Sequence, residues 1–166
     1  MWITSKPLKV QDDSYNEDVV IVNQLYKDKD NTVYLAPRKL VTDNYTMPLG
    51  INKSKYDVRP SHFHDIGCRY HQMIVVDLPI ETIKRKYLFK FKNTIFCRDI
   101  PKKFLKVITV TGNEVNDLFY RMMRDANIPK WICCLYRSGV SLNFGWFFTG
   151  KENIDLDKIY KEELET

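Results

Sequence analysis

Apolar and polar residues along this chain fall into short runs whose periods differ. From Asp18 to Tyr26 the run DVVIVNQLY is rich in β-branched and aromatic residues, and Thr32 to Ala36 is a second run of the same kind. The polar stretch Lys27 to Asn31 between them is turn-like, so the two runs predict a β-hairpin. After Pro37 the turn-formers Thr42, Asp43, Asn44, Thr46 and Pro48 predict an irregular loop as far as Gly50. Pro60 suits the first turn of a helix, which Phe63, Ile66 and Tyr70 continue at helical spacing toward His71, although Gly67 weakens it. Tyr87 to Cys97 alternates, Tyr87, Phe89 and Phe91 against Lys90 and Lys92, which predicts a half-exposed strand with a lysine-lined outer face.

The clearest helix is Glu114 to Ala126, where Val115, Leu118, Phe119, Met122, Met123 and Ala126 keep the helical period. Thr111-x-x-Glu114 is a capping-box pattern before it and Pro129 ends it. A further helix starts near Lys130 with Trp131, Leu135 and Tyr136 on one side. Val140, Leu142, Phe144, Trp146 and Phe148 then alternate as a strand would, and Asn153 to Glu165 reads as a short exposed helix. The expectation is an α+β protein: one compact domain over residues 1–150, an N-terminal β-hairpin or small antiparallel sheet packed on about three helices, those carrying His64, Phe119 and Leu135. Residues 151–166 read as an acidic C-terminal tail that adds little to the core.

A chain of 166 residues with 44% hydrophobic and 28% charged residues lies in the range of single folded domains that need neither disulfides nor metals for a core. No apolar stretch is long enough for a membrane span, and Met1-Trp2-Ile3-Thr4 does not open a signal peptide. Cys68, Cys97, Cys133 and Cys134 have neither the spacing of a disulfide framework nor that of a zinc site, so reduced thiols are expected, with Cys133 and Cys134 acting as small buried side chains.

Charge changes the picture more than composition does. The net charge is +5, but between Lys84 and Lys106 nine residues are basic and only Asp99 is acidic. Beyond Gly150 the sign reverses, with Glu152, Asp155, Asp157, Glu162, Glu163 and Glu165 against three lysines. This split suits an anionic partner for the middle of the chain and a basic partner, such as the chain's own middle, for the tail; two solvated faces explain it equally well.

All three histidines, His62, His64 and His71, fall in one ten-residue window with Asp65. Imidazole can take a proton from water near neutrality, and a carboxylate can orient the ring or bind a hard cation, so one segment could hold a base and an oxygen ligand. His64, Asp65 and Asp43 are the candidate catalytic residues, and Asp65, His62 and Asp43 the candidate ligands of a divalent cation; no other cofactor is indicated. H-x-H-D-x-G lacks the second His-Asp element of the metallo-hydrolase zinc motif. Cys68 stands where the phospholipase A2 helix, H-D-x-x-Y, has its tyrosine, and no glycine-rich calcium loop precedes the dyad. The plainer alternative is that His64 and Asp65 tie their helix to the Thr42-Asp43 loop by hydrogen bonds.

Read in order, Thr42-Asp43-x-x-Thr46-x-Pro48, His64-Asp65, Leu118-Phe119-Tyr120-x-x-Met123, Asn127-Ile128-Pro129 and Tyr136 resemble a family of small bacteriophage proteins, domain of unknown function 1353. That family's pattern is T-D-x-x-S-x-P, H-D-x-L-Y and A-D-x-x-F-x-x-x-M. Thr46 replaces its serine, its tyrosine is displaced to Tyr70, and Asn116 occupies its acidic position. The stretch from Leu78 to Gly112 is longer than the family's connection. The resemblance implies synthesis in the host cytoplasm, a place in the virion or its assembly, of tail or neck type, and other phage proteins as partners.

Three functional readings follow. The first is a virion-associated or assembly protein that works by protein binding, through the basic region (Lys84, Arg85, Lys86, Lys90, Lys92) and the acidic tail. The second is a small His-Asp hydrolase, metal-assisted, acting on lipid or cell-wall ester or amide bonds, with His64 activating water. The third is nucleic-acid binding through Lys84 to Lys106 with Tyr87, Phe89 and Phe91, against which stands the use of lysine on edge strands as protection from edge pairing.

Overall fold

A computed structural model describes residues 1–6, 9–12, 17–20, 22–39, 41–42, 55–142 and 153–160. In chain order the elements are β1 (Lys9–Asp12), β2 (Glu17–Val20), β3 (Gln24–Lys27), β4 (Val33–Ala36), β5 (Val41–Thr42), α1 (Arg59–Tyr70), β6 (Gln72–Val76), α2 (Ile80–Lys86), β7 (Leu88–Phe91), β8 (Thr94–Cys97), β9 (Leu105–Thr109), α3 (Gly112–Asp125), α4 (Lys130–Leu142) and α5 (Leu156–Tyr160), with one turn of 3-10 helix at Lys102–Phe104. The fold is α+β. Its centre is a four-stranded antiparallel sheet in the order β3-β4-β6-β9, accompanied by a three-stranded sheet β1-β2-β5 and the hairpin β7-β8.

Alternation along the central strands gives the sheet two buried faces. Leu25, Val33, Leu35, Ile74, Val76 and Leu105 share one face, where they pack with Ile3, with Ile83 of α2, with Cys97 of β8 and with Ile100. Tyr26, Ala36 and Met73 share the other, covered by Phe63 and Ile66 of α1 and by Leu118 and Met122 of α3. A third cluster joins α3 to α4 through Phe119, Met123, Ile132, Cys133 and Tyr136. The sheet thus lies between a helical layer and a layer made by α2, the hairpin and the tail.

Local signals set the two helices that matter most. Pro60 occupies the first turn of α1, where its missing N–H leaves no bond unmade, and His71, at φ 52°, ends the helix by donating its N–H to Gly67 O at 3.0 Å. The capping box of α3 forms as the sequence indicates: Glu114 N–H donates to Thr111 Oγ1 at 3.3 Å, and Thr111 N–H donates to Glu114 Oε2 at 2.6 Å. Gly67, a weakness by helix propensity alone, sits where α1 meets α3. A Cβ there would come within 2.8 Å of both Val115 methyls, so glycine is what lets the helices approach.

Four expectations need correction. The run from Asp18 to Tyr26 is not one strand: β2 ends at Val20 and pairs with β1 and β5, while β3 begins at Gln24 in the central sheet. Val140 to Leu142 continue α4 and are not strand; Phe144, Trp146 and Phe148 lie outside the described residues. Cys134 is exposed, although Cys133 is buried. The described part of the tail, 153–160, is docked: Ile154, Leu156 and Tyr160 pack on the core, and Ile154 N–H donates to Gln72 Oε1 at 2.8 Å. Lys102 from the basic stretch forms an ion pair with Asp157, so the tail does meet the chain's own middle.

Candidate functional site

α1 carries His62, His64 and Asp65, and helical geometry separates them. Successive residues on a helix point roughly 100° apart, so neighbours at i and i+1 do not face each other. His62, fully buried, points to the sheet, where its Nδ1–H donates to Gln24 Oε1 on β3 at 2.8 Å. His64 points instead to α3: its Nε2–H donates to Asn116 Oδ1 at 3.2 Å, and its ring lies against Phe119 with centroids 4.4 Å apart. Asp65 is half-buried on the same helix. Asp43 lies outside the described residues, so the structure does not place it beside either.

His64 is therefore the clasp between α1 and α3. Burial pushes its imidazole down to about 4, and the Asn116 hydrogen bond, which favours the protonated ring, only partly offsets this. Cys68 Sγ lies 3.5 Å from Nδ1 and 3.4 Å from Nε2 of the same ring. Near-equal distances mean that the thiol is not directed at one nitrogen in preference to the other. Among the described residues no three His, Cys, Asp or Glu side chains converge to hold a metal.

A cleft of about 430 Å³ opens between the N-terminal segment and α3. Much of its charged lining is engaged internally. Arg121 donates to both carboxylate oxygens of Asp28, Nε to Oδ1 at 3.0 Å and Nη2 to Oδ2 at 2.7 Å, and Tyr26 Oη–H donates to Asp125 Oδ2 at 2.7 Å. Bidentate pairing of this kind fixes geometry and leaves few unspent donors for a ligand.

The basic candidates divide between two elements, which corrects the single lysine-lined strand. Lys84, Arg85 and Lys86 form the last turn of α2, Lys90 is in β7, and Lys92, at φ 54°, opens the two-residue turn between β7 and β8. Pairing of Leu88 with Cys97 and of Phe89 with Phe96 assigns the faces. Leu88, Lys90, Ile95 and Cys97 share the side whose base enters the core; Phe89, Phe91, Phe96 and Arg98 share the outer side. Phe91 is 62% exposed and Phe89 41%. The outer face is thus aromatic with cations around it, where alternation alone suggested lysine outward.

The hairpin is anchored. Ser5 N–H donates to Ile95 O at 3.3 Å, Ile95 N–H donates to Ser5 Oγ at 3.1 Å, and Asn23 bridges to Cys97. Asp99, the one acid of the basic stretch, is held by Asn23 Nδ2 and Arg38 Nη2, each at 2.8 Å. Among the described residues Lys84, Arg85, Lys86, Lys90 and Lys92 have no carboxylate partner.

No family model, no curated protein and no solved structure matches the chain. The residues that sequence reasoning did not join to His64 are Phe119 and Asn116; the latter's only signal was its place at the acidic position of the resembled pattern.

Proposed function

We propose that this chain is a binding component of a bacteriophage particle or assembly intermediate, of tail or neck type, that acts by contact and not by turnover. The observation that carries the reading is the anchored β7–β8 hairpin, which holds large aromatic side chains in solvent on one face; it carries Lys90 and Lys92 and follows the Lys84–Lys86 turn of α2, and these five cations have no carboxylate partners among the described residues. Burying Phe89 and Phe91 within the fold would be favourable, so their exposure on a rigid support has the character of an interaction surface. The ordered motifs around His64 and Phe119 support the phage part of the reading.

The site around His64 favours contact over catalysis. An imidazole whose conjugate acid lies near 4 is a weak base at neutral pH, and this one is committed to Asn116. The alternative, a metal-assisted hydrolase using His64, Asp65 and Asp43, would need that ring to be released from the α1–α3 contact.

The test is to quantify the chain by mass spectrometry in purified particles and intermediates, for the wild type and for a variant with Phe91→Ser, Lys90→Gln and Lys92→Gln. The wild type is expected in the particle or an intermediate, and the variant, with unchanged melting temperature, is expected to be depleted several-fold. Absence of the wild type from both overturns the phage assignment, and equal incorporation of the variant overturns the hairpin's role.

A further inference from the structure

We infer that the outer face of the β7–β8 hairpin, into which the last turn of α2 leads, is a stacking platform for single-stranded nucleic acid. The inference rests on the binding reading above and names the partner of that surface. Phe89 and Phe96 are stacked at 5.3 Å between centroids and 22° between planes, and the Arg98 guanidinium lies 5.1 Å from the Phe89 centroid. Lys92 Nζ lies 5.7 Å from the Phe91 centroid at the tip. Phe91, two residues further along the same face and about 7 Å from Phe89, lies outside that stack and is the more exposed ring, so it is the one that takes a base, with the Phe89–Phe96 stack and Arg98 as its neighbours. Rings on a strand with cations at their edges are what unpaired bases require: a flat face for each base and positive charge for the phosphates between them.

The charge argument points the same way. Lys84, Arg85, Lys86, Lys90 and Lys92 are exposed, and the neighbouring acid, Asp99, is consumed by Asn23 and Arg38. Bound phosphates would release counterions from these side chains, giving steep salt dependence. An acidic protein would feel the same field but has no need of exposed phenyl rings, and the polyglutamate probe below separates the two. Duplex DNA would feel it too, yet its base faces are already stacked, so the phenyl rings would be left idle. Besides its cations, the outer side carries only Thr94 and the turn residue Asn93 as polar side chains, so little reads base edges and binding should tolerate any sequence.

The experiment is fluorescence anisotropy on the full chain with three labelled probes at two salt concentrations: a single-stranded oligothymidine, a duplex of equal length, and polyglutamate. The single strand is expected to bind at least about tenfold more tightly than either competitor. Phe91→Ala should weaken it by about tenfold without changing the duplex affinity, and glutamine at the five cations should flatten its salt dependence. Phe91 is chosen because it is mostly solvent-exposed and outside the Phe89–Phe96 stack, so the fold should survive; a thermal melt checks this. Equal binding of all three probes, untouched by Phe91→Ala, overturns stacking and leaves a general polyanion surface. Tightest binding to polyglutamate overturns the inference in favour of an acidic protein. No binding to any probe also overturns it; the binding reading then stands if the hairpin variant is still lost from particles, and falls with it if incorporation is unchanged.

Discussion

Lowering the pH from about 7 to about 5 loads a proton onto His64 in the unfolded chain but not in the folded one. The folded imidazole titrates at about 4 because burial disfavours its charged form, against 6.5 for the free side chain. A depressed histidine pKa means that the unfolded state binds more protons between the two values, so stability falls as pH drops through 6.5 and levels off only below 4. At about 1.36 kcal/mol per pH unit, the loss between pH 7 and pH 5 is about 2 kcal/mol, with a limit of about 3 kcal/mol below both values. Urea titrations at several pH values, for the wild type and for His64→Gln, isolate this contribution, because other titrating groups cancel in the difference. The wild type should lose about 2 kcal/mol more than the variant over that range. Parallel slopes refute the claim that His64 is held neutral by burial.

The partner can be altered to reverse the sign. Asn116→Asp places a carboxylate at hydrogen-bonding distance of Nε2 and favours the imidazolium. With the folded pKa raised above the unfolded one, the contribution is present below 6.5 and is lost as pH rises through the folded value. The His64 ring protons, followed by NMR, should then titrate at higher pH than in the wild type.

Two further outcomes test the packing. Gly67→Ala should cost about 2 kcal/mol because its Cβ would press on both Val115 methyls, and Val115→Ala in the same chain should recover part of that loss; a thermal melt of the single and double variants decides it. Replacing Ile154 and Leu156 together with serine should cost about 2 kcal/mol, since each is half-buried against the core, and an unchanged melting temperature would show the docked tail to be dispensable.

The helices were legible in the sequence because their signals are local. Proline in the first turn of α1, the Thr111-Glu114 box and the spacing of Val115, Leu118, Phe119 and Met122 all act within a turn or two of the residues they specify. The reversal in the basic stretch was not legible. Alternation continues through a tight turn, and Lys92-Asn93 lacks the glycine that usually marks one, although Lys92 adopts φ 54°. The His64–Asn116 contact was not legible either. His64's partner lies 52 residues away, a contact that no local pattern reports.

The hairpin divides its own residues by consequence, and this separates stability from binding more sharply than any feature near His64. Leu88 and Cys97 face each other across the hairpin and enter the core, with Cys97 6% exposed, so truncating them should lower stability whatever the hairpin binds. Phe91 and Lys92 stand at the tip and bury little, so changing them should leave the melt alone. All four lie in the stretch from Leu78 to Gly112. On the proposed reading, the α1–α3 unit with its His64–Asn116 clasp supplies the scaffold, and this stretch supplies the contact surface. Such a surface can change partner without disturbing the clasp, because its outer side chains contribute little to the core.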